Sequence, residues 1–375
     1  MSPSGRASLA LACVLLLGAS AAGLAQAEPL GGWSPEAAYP AGLAGISCAP
    51  LYQRVYCVGG SDPNLNSYAG VNYAVANGTG VGAWEPGTPY PTAVDSESCV
   101  VSTPAIYCVG GEDSTAVLGD VYYASVSPSG AVGVWSAGPS YPEPTAAASC
   151  VAYGGYVYCV GGFDADGVEV DASYYAALAS PGLGHWSATT PYPRAVDSES
   201  CVASAGYVYC VAGEVDSNGN ENTPISDVYF APLTSSGIGA WSTGARYPAA
   251  LAAPSCAENS GYVYCVGGFD INGLSSRDAY YAALSPSGVG AWTPGAPYPV
   301  PIDTSSCVAL NGIYCVGGVS SQQAGSSNVD YVYFAPTSGS TSAAPEFPAA
   351  ASLPLTLAAV LGAAALALRR YRASA

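Results

Sequence analysis

The sequence contains no lysine, a single histidine and few charged residues of either sign. Eight arginines face 26 aspartates and glutamates, and charged residues make up only 9% of the 375 positions. The formal net charge of −18 repels nucleic acid and attracts cations, so we expect no nucleic-acid partner. With His185 as its only histidine, the chain shows no pattern of several imidazole ligands or of a histidine base beside a nucleophile.

The two ends of the chain carry the signals of export and membrane attachment. A basic start, an apolar run and a small-residue cleavage pattern predict a secretory signal peptide over residues 1–27. Residues 349–368 carry no charge and are numerous enough to cross a bilayer as a helix. The arginine-rich tail, residues 369–375, should then stay in the cytoplasm. We therefore expect residues 28–348, which hold all the acidic residues, to lie outside the cell.

One pattern repeats six times along the chain. Each copy has Ser-Cys, a short turn, Tyr-x-Tyr-Cys-Val-Gly-Gly, a polar loop, an aromatic segment, a tryptophan and a Tyr-Pro pair, with small departures between copies. The tryptophans recur every 51 residues, with one interval of 55. A period near 50 residues with several short strands per copy is typical of β-propellers. Each copy predicts four antiparallel strands, A to D, with the tryptophan on strand D.

Twelve of the thirteen cysteines form six regularly spaced pairs, five separated by nine residues and one by eight. An even number of cysteines at regular spacing in an exported chain predicts disulfides, and the short Cys-x-x-Cys clusters of zinc sites are absent. In the fourth copy the midpoint of the pair falls in the turn Ala205-Gly206, so the two cysteines should oppose each other across a hairpin. The expected bridges are Cys48–Cys57, Cys99–Cys108, Cys150–Cys159, Cys201–Cys210, Cys256–Cys265 and Cys307–Cys315.

The copies resemble kelch-repeat propellers in three features: the glycine pair after strand B, a tyrosine on strand C about 12 residues later and the strand D tryptophan about 24 residues later. Only the fourth copy departs, with Ala212-Gly213. The resemblance covers about residues 31–336 and implies strand A innermost. We expect an all-β, six-bladed, kelch-like β-propeller with four antiparallel strands per blade over residues 28–336, plus the C-terminal transmembrane helix. The lone strand D at Trp33 should complete the sixth blade and close the ring.

A short motif precedes the apolar C-terminal run. Pro345-Glu346-Phe347-Pro348, the run itself and the terminal arginines resemble the PEF-type sorting signal of archaeal surface proteins. This resemblance implies an archaeosortase-like processing enzyme as a partner and attachment to a lipid. Membrane attachment is therefore expected either through the helix or through a lipid. Residues 337–348, rich in Ser, Gly and Pro, would form a flexible linker before it.

Acidic residues are predicted to collect on one face of the disc, in the D–A and B–C loops. Copies two, four and six carry them just before strand A, whereas copies one, three and five carry small or apolar residues there, which predicts pseudo-threefold symmetry. Oxygen ligands around the channel mouth would suit calcium, and a solvated acidic rim is the alternative. Asp-x-Asn-Gly stretches such as the one at Asp270 are compatible with turns or with fragments of calcium loops. The candidate calcium ligands are Asp95, Glu97, Asp197, Glu199 and Asp303.

These features favour a cell-surface binding or adhesion protein whose acidic face takes an extracellular protein or glycan. Two alternatives stay open: a carbohydrate-active enzyme that uses rim carboxylates as acid and base, and a structural protein of the envelope. We assign no catalytic residue, and kelch-related copper oxidases need more than one histidine. Asn77-Gly78-Thr79 is an N-glycosylation sequon. Both chain ends should leave the disc on its sparsely charged face, which would then face the membrane.

Overall fold

The computed structural model describes residues 30–337 except 180, 218–219 and 323–324. Within these residues the chain forms short β-strands and no helix. The strands, in chain order, are β1 (Ser34–Pro35), β2 (Ser47–Leu51), β3 (Arg54–Val58), β4 (Val71–Val75), β5 (Glu85–Pro86), β6 (Ser98–Ser102), β7 (Ala105–Val109), β8 (Val121–Ser125), β9 (Ser136–Ala137), β10 (Ser149–Tyr153), β11 (Tyr156–Val160), β12 (Ser173–Ala179), β13 (Gly182–Leu183), β14 (Ser187–Ala188), β15 (Ser200–Ser204), β16 (Tyr207–Val211), β17 (Glu214–Ser217), β18 (Asn220–Pro224), β19 (Val228–Thr234), β20 (Gly237–Ile238), β21 (Ser242–Thr243), β22 (Ser255–Asn259), β23 (Tyr262–Val266), β24 (Ala279–Ser285), β25 (Gly288–Val289), β26 (Thr293–Pro294), β27 (Ser306–Ala309), β28 (Ile313–Val316), β29 (Val319–Gln322), β30 (Gly325–Asn328) and β31 (Val332–Ala335).

Several predicted segments lie outside the described residues. They are the signal peptide over residues 1–27, the sorting motif at 345–348, the helix over 349–368 and the tail that follows it. From residue 30 to residue 337, the described chain contains no helix long and apolar enough to span a bilayer.

The strands form six antiparallel sheets that are the blades of a propeller, and in blades one to five strands A to D follow one another in chain order. Blades three to five carry one additional short strand that pairs with strand C, and the hairpins β17–β18 and β29–β30 extend from two B–C loops. The ring closes as the sequence predicts: β1 pairs with β31, with Ser34 opposite Phe334, and so supplies strand D of blade six. The first and last strands of the ring therefore belong to one sheet.

Strand A is the innermost strand of every blade. Residues from the six A strands, β2, β6, β10, β15, β22 and β27, together line a central space of about 320 Å³. Strand B lies behind strand A and is almost wholly buried, because it packs between A and C and against both neighbouring blades. The apolar core is accordingly divided into six clusters, each built from two adjacent blades.

The six disulfides pair the cysteines that the sequence predicts. In each blade the strand A cysteine lies directly opposite the strand B cysteine in the register, as Cys201 does opposite Cys210. The bridge therefore fixes the hairpin that carries the inner edge of the blade. All six bonds lie within blades, so none of them joins one blade to the next.

Adjacent blades are instead joined by a closed ring of hydrogen bonds between the A strands. The backbone N–H of each strand A cysteine donates to the hydroxyl of the serine that begins strand A of the preceding blade, at 2.7–3.0 Å. Cys150, for example, donates to Ser98. The repeated Ser-Cys dipeptide thus serves two purposes, since its cysteine bridges within the blade and its serine bonds to the next blade. The six acceptors are Ser47, Ser98, Ser149, Ser200, Ser255 and Ser306.

A second closed ring lies at the outer strands. Each tryptophan of strand D packs edge-on against the tyrosine of a Tyr-Pro pair, with ring centroids 4.9–5.0 Å apart. Its indole N–H donates to a backbone carbonyl of the preceding D–A loop, as Trp135 does to Thr88 at 3.0 Å. Edge-to-face pairs of this kind contribute about 0.5–1.5 kcal/mol beyond the burial of their area.

The glycine pair after strand B allows a close approach to the next blade. Gly59 has φ +64°, and a Cβ there would lie 2.5 Å from the carbonyl oxygen of Val94. In blade four, Ala212 occupies this position with φ 60°. The inter-blade hydrogen bond beside it, from Gly213 N to Leu251 O, is 3.2 Å long, whereas its five equivalents are 2.8–2.9 Å. The methyl group of Ala212 therefore stands beside the longest of the six equivalent hydrogen bonds between blades.

We expect Ser98→Ala to destabilise the propeller by about 1–3 kcal/mol, because it leaves the Cys150 N–H without its acceptor at a part-buried contact between two blades. Thermal or denaturant unfolding of the oxidised protein would measure this loss. The matched control is Ser102→Ala in the same strand, since the Ser102 hydroxyl makes no hydrogen bond to the described residues. Equal stability of the two variants would contradict a structural role for the serine ring.

Candidate functional site

The acidic face of the disc is formed where D–A loops meet B–C loops. The antiparallel order of the strands puts these two kinds of loop on the same face. In the even blades the D–A aspartate pairs, through a short antiparallel bridge, with the residue after the glycine pair. The bridges are Asp95 with Glu112, Asp197 with Glu214, and Asp303 with Val319. In the odd blades the same bridge joins Ala44, Ala146 and Ala252 to Ser61, Phe163 and Phe269.

Two of the rim aspartates bond to the loop of the preceding blade. Ser67 donates to Asp95 at 2.7 Å, and Ser275 donates to Asp303 at 2.5 Å. These serines occupy equivalent positions in the B–C loops of blades one and five. The aspartates therefore help to join blades as well as to charge the rim. Desolvation by burial raises the pKa of both carboxyls.

The third rim aspartate faces other carboxyls. Glu169 stands in blade three where Ser67 and Ser275 stand in blades one and five. Burial raises the pKa of both Asp197 and Glu214, and the two carboxyls, which are hydrogen-bonded to each other, repel one another when both are charged. Glu169 adds to the repulsion on each. The pair consequently favours a state in which the two carboxyls share one proton.

Glu97 and Glu199 point between two blades, where their carboxylates lie against Gly59 and Gly161 of the preceding blade, and each is only 5% exposed. The Glu97 carboxylate packs over the preceding blade, since a Cβ at Gly59 would lie 2.8 Å from its Oε1. Neither Glu97 Oε2 nor either carboxylate oxygen of Glu199 receives a hydrogen bond from the described residues. Desolvation therefore raises the pKa of both carboxyls well above the usual value of 4.5. Blade six has Ser305 at this position.

The five candidate calcium ligands are distributed over three separate blades. Within the ranges that the structure describes, no group of three or more His, Cys, Asp or Glu side chains is placed to hold a metal ion. The pseudo-threefold arrangement of the carboxyls themselves agrees with the sequence pattern. Calcium binding at the rim stays a prediction made from the sequence.

The Asp-initiated stretches of the odd blades form turns. Asp164 accepts hydrogen bonds from the backbone N–H groups two and four residues later, and Asp270 does the same. Asp62 makes the equivalent turn in blade one, so the pattern recurs in all three odd blades. These carboxylates are thus engaged by their own loops. The fourth-blade stretch at 216–219 lies in the β17–β18 hairpin, and its tip at residues 218–219 is outside the described residues.

The remaining candidates are placed apart from the acidic face. His185 is exposed just before β14. Asn77 is exposed in a C–D loop, where its Oδ1 accepts a hydrogen bond from the Thr79 hydroxyl at 2.7 Å. Sequence reasoning did not recognise Glu112 and Glu214 as the bridge partners of the rim aspartates. The signal was their position directly after Gly111 and Gly213, where the chain turns toward the D–A loop.

The buried glutamates should make stability depend on pH. Because the folded state holds their protons more tightly than the unfolded chain does, stability is greatest below the usual pKa and falls as the pH rises toward the folded pKa. Glu97→Gln and Glu199→Gln should therefore raise the free energy of unfolding near pH 8, by about 1.4 kcal/mol for each unit by which folding raises the pKa of the glutamate. Near pH 4 the two substitutions should leave the free energy of unfolding almost unchanged. Denaturant unfolding with a chelator present would measure this difference.

The control for this experiment is Glu85→Gln, an exposed strand D residue. It should show no comparable gain at high pH. Loss of stability in the two buried variants near pH 8 would contradict the argument, since it would mean that the ionised carboxylates have partners in the folded protein.

Comparison with known proteins agrees with the architecture. No protein-family model matches the sequence, and no curated protein matches it. The solved structure of YjhT superposes with a TM-score of 0.64 at 13% sequence identity, over 79% of this chain and 95% of that one. Identity this low supports the fold alone. The chain is an all-β, six-bladed propeller with four antiparallel strands in each blade.

Proposed function

We propose that the protein is a cell-surface binding or adhesion propeller that presents its acidic face to an extracellular protein or glycan. In this proposal the repeats are kelch-like, the PEF-type signal directs attachment, and the chain is anchored by its C-terminal helix or by a lipid. The six disulfides support an oxidising location such as the cell exterior. Calcium at the rim would add to such binding and is not required by it.

The observation that carries the proposal is the concentration of unneutralised carboxylates on one face. Among the described residues the two ion pairs both use Asp227, with Arg194 at 2.9 Å and Arg246 at 3.1 Å. The loops of that face otherwise present aspartates and glutamates with few cations to balance them. A field of one sign steers partners of the opposite charge and discourages association with anionic surfaces.

The position of the chain ends supports an outward-facing acidic surface. Leu30 and Thr337 pair in a bridge at the beginning and end of the described chain. Strand D begins, and strand C ends, on the face opposite the acidic loops. A tether that follows Thr337 therefore starts from the sparsely charged face. Held in this way, the disc would direct its acidic loops away from the membrane.

The enzymatic alternative has less support from the geometry. Asp197 and Glu214, the two rim carboxyls that lie opposite each other, are hydrogen-bonded to each other. Retaining glycosidases hold their two carboxyls about 5–5.5 Å apart and inverting enzymes hold them farther apart, to admit the sugar or a water. A directly bonded pair leaves no room for either.

The alternative of an envelope-structure protein would be recognised by ordered self-assembly of the purified chain.

The function is tested by removing charge from one face at a time. We expect the triple variant Asp113→Asn, Asp166→Asn, Asp216→Asn to lose most of the adhesion of displaying cells to immobilised cell envelopes or to an arrayed glycan. The matched control removes three charges away from the acidic loops: Glu36→Gln, whose carboxylate accepts from Val81 N in a C–D loop, Glu85→Gln in strand D and Glu258→Gln in strand A. It should adhere as the natural protein does. Equal behaviour of the two variants, or release of cleaved glycan, would reject binding by the acidic face.

The orientation is tested with two epitope tags. A tag in the turn between β17 and β18 should be labelled by antibody on intact cells, because that hairpin extends from a B–C loop on the acidic face. A tag in the Ala205-Gly206 turn should be labelled poorly, because that turn lies on the face from which the tether leaves. Both tags should be labelled equally on the detergent-extracted protein. Equal labelling on intact cells would contradict the fixed orientation.

A further inference from the structure

A pocket of about 440 Å³ opens on the acidic face between blades one and two. Its walls come from the B–C loops of both blades and from the D–A loop that joins them. The volume falls within the range of small-molecule sites. The lining residues are Ser61, Asn64, Leu65, Asn66, Ser67, Asp95, Glu112, Asp113 and Ser114.

The lining of the pocket is acidic. It has three carboxylates and no Arg, Lys or His, and its other polar side chains are hydroxyls and amides. Asp113 is engaged by its own loop, because its Oδ1 accepts from Thr115 and Ala116. Asp95 is held in place by the hydroxyls of Ser67 and Ser96. Glu112 makes no side-chain hydrogen bond to the described residues and lies opposite Asp95.

A hydroxyl in the wall, carried by an otherwise buried serine, also has no partner among the described residues. Ser61 is only 8% exposed, and its backbone N–H and C=O are both bonded, to Ala44 and to Asn328 among others. Its Oγ makes no hydrogen bond within the described residues, although it lines the pocket. Because Ser61 is otherwise buried and this hydroxyl opens into the pocket, it is free to form a hydrogen bond with a polar ligand held there.

The lip of the pocket is an exposed leucine in an unusual backbone conformation. Leu65 is 77% exposed and has φ +62°, a region that leucine rarely adopts. The turn that holds it is fixed by Asp62, which accepts from the N–H groups of Asn64 and Asn66. The loop therefore presents an apolar side chain beside the carboxylates, where strain of this kind is often associated with a binding role.

We infer that this pocket binds an alkylammonium group, with the ammonium at Asp95 and Glu112 and its methylene stem against Leu65. The inference rests on the proposed function, since it uses the same acidic face and names the chemistry it would recognise. Hydrogen bonds between a charged donor and a carboxylate are about twice as strong as neutral ones, and an alkyl stem gains from apolar contact. A bare metal ion fits less well, because no three acidic side chains within the described residues converge and the pocket is far larger than an ion.

Calorimetric titration of the full chain, purified in non-ionic detergent, tests the inference. The probes are acetyl-Gly-Lys-Gly-amide, the same peptide with norleucine in place of lysine, and spermidine. The lysine peptide or spermidine should bind and the norleucine peptide should not. Binding of the lysine peptide identifies a protein side chain as the source of the ammonium, and binding of spermidine alone identifies a free polyamine.

Matched variants locate the binding. Asp95→Asn and Leu65→Ser should each weaken it about tenfold or more, whereas Asp278→Asn and Ile271→Ser should leave it unchanged. The two controls remove one charge and one exposed apolar side chain from blade five on the same face. Leu65 is so exposed that its replacement leaves the fold intact, which keeps the test valid even where Asp95→Asn unfolds the protein.

Three results would overturn the inference: no heat from either amine, equal binding of the norleucine peptide, or equal weakening by the control variants. None of them bears on whether cells adhere through the acidic face. Conversely, if cells do not adhere through the acidic face but the amine binds in the titration, the proposed function is rejected while the inferred amine site is supported.

Discussion

The whole architecture depends on the contact between neighbouring inner strands, where a serine hydroxyl of one blade accepts the cysteine N–H of the next. A single four-stranded sheet has two apolar faces and cannot bury either alone, so each blade is stable only between two neighbours. The serine ring fixes the inner radius, and the tryptophan–tyrosine pairs fix the outer one. The disulfides lock each inner hairpin in the register that this ring requires. Covalent bonds thus stabilise each blade internally, and non-covalent contacts hold neighbouring blades together.

The six blades pack in the same way, whereas the D–A aspartates occur only in the three even blades. All six D–A loops place a residue with positive φ at the same point, whether it is glycine, serine, alanine or threonine. Backbone bonds such as Ser96 N to Gly45 O join these points from blade to blade. Four such bonds run from blade one to blade five. Because the main chain makes these contacts, the adjacent side chains are free to vary. The even blades use that freedom for carboxyls and the odd blades for small residues, so function can diverge without loss of the ring.

The repeat made the fold predictable, because six copies at a fixed spacing constrain strand number, strand order, ring closure and cysteine pairing together. The site was predictable only in outline. The strand order predicted that the acidic D–A and B–C loops share one face, and the sheet topology has them there. The sequence did not show that Glu97 and Glu199 point into the blade interfaces while Asp95 and Asp197 meet Glu112 and Glu214. Residues two positions apart can have entirely different neighbours where the chain bends at a left-handed residue such as Ser96. Such a bend cannot be predicted from the sequence when the left-handed residue is not glycine.

Ring closure by β1 and β31 also sets the order in which the molecule can be completed. Each hairpin cross-link spans eight or nine residues, so it forms as soon as its own segment is available. The closing pair joins Ser34 to Phe334, and it must wait for almost the entire chain. Until then the first strand has no partner and blade six lacks its outer edge. The ring can therefore close only when almost the whole chain is present, and any truncation that removes β31 leaves an open row of blades with unpaired edges at both ends.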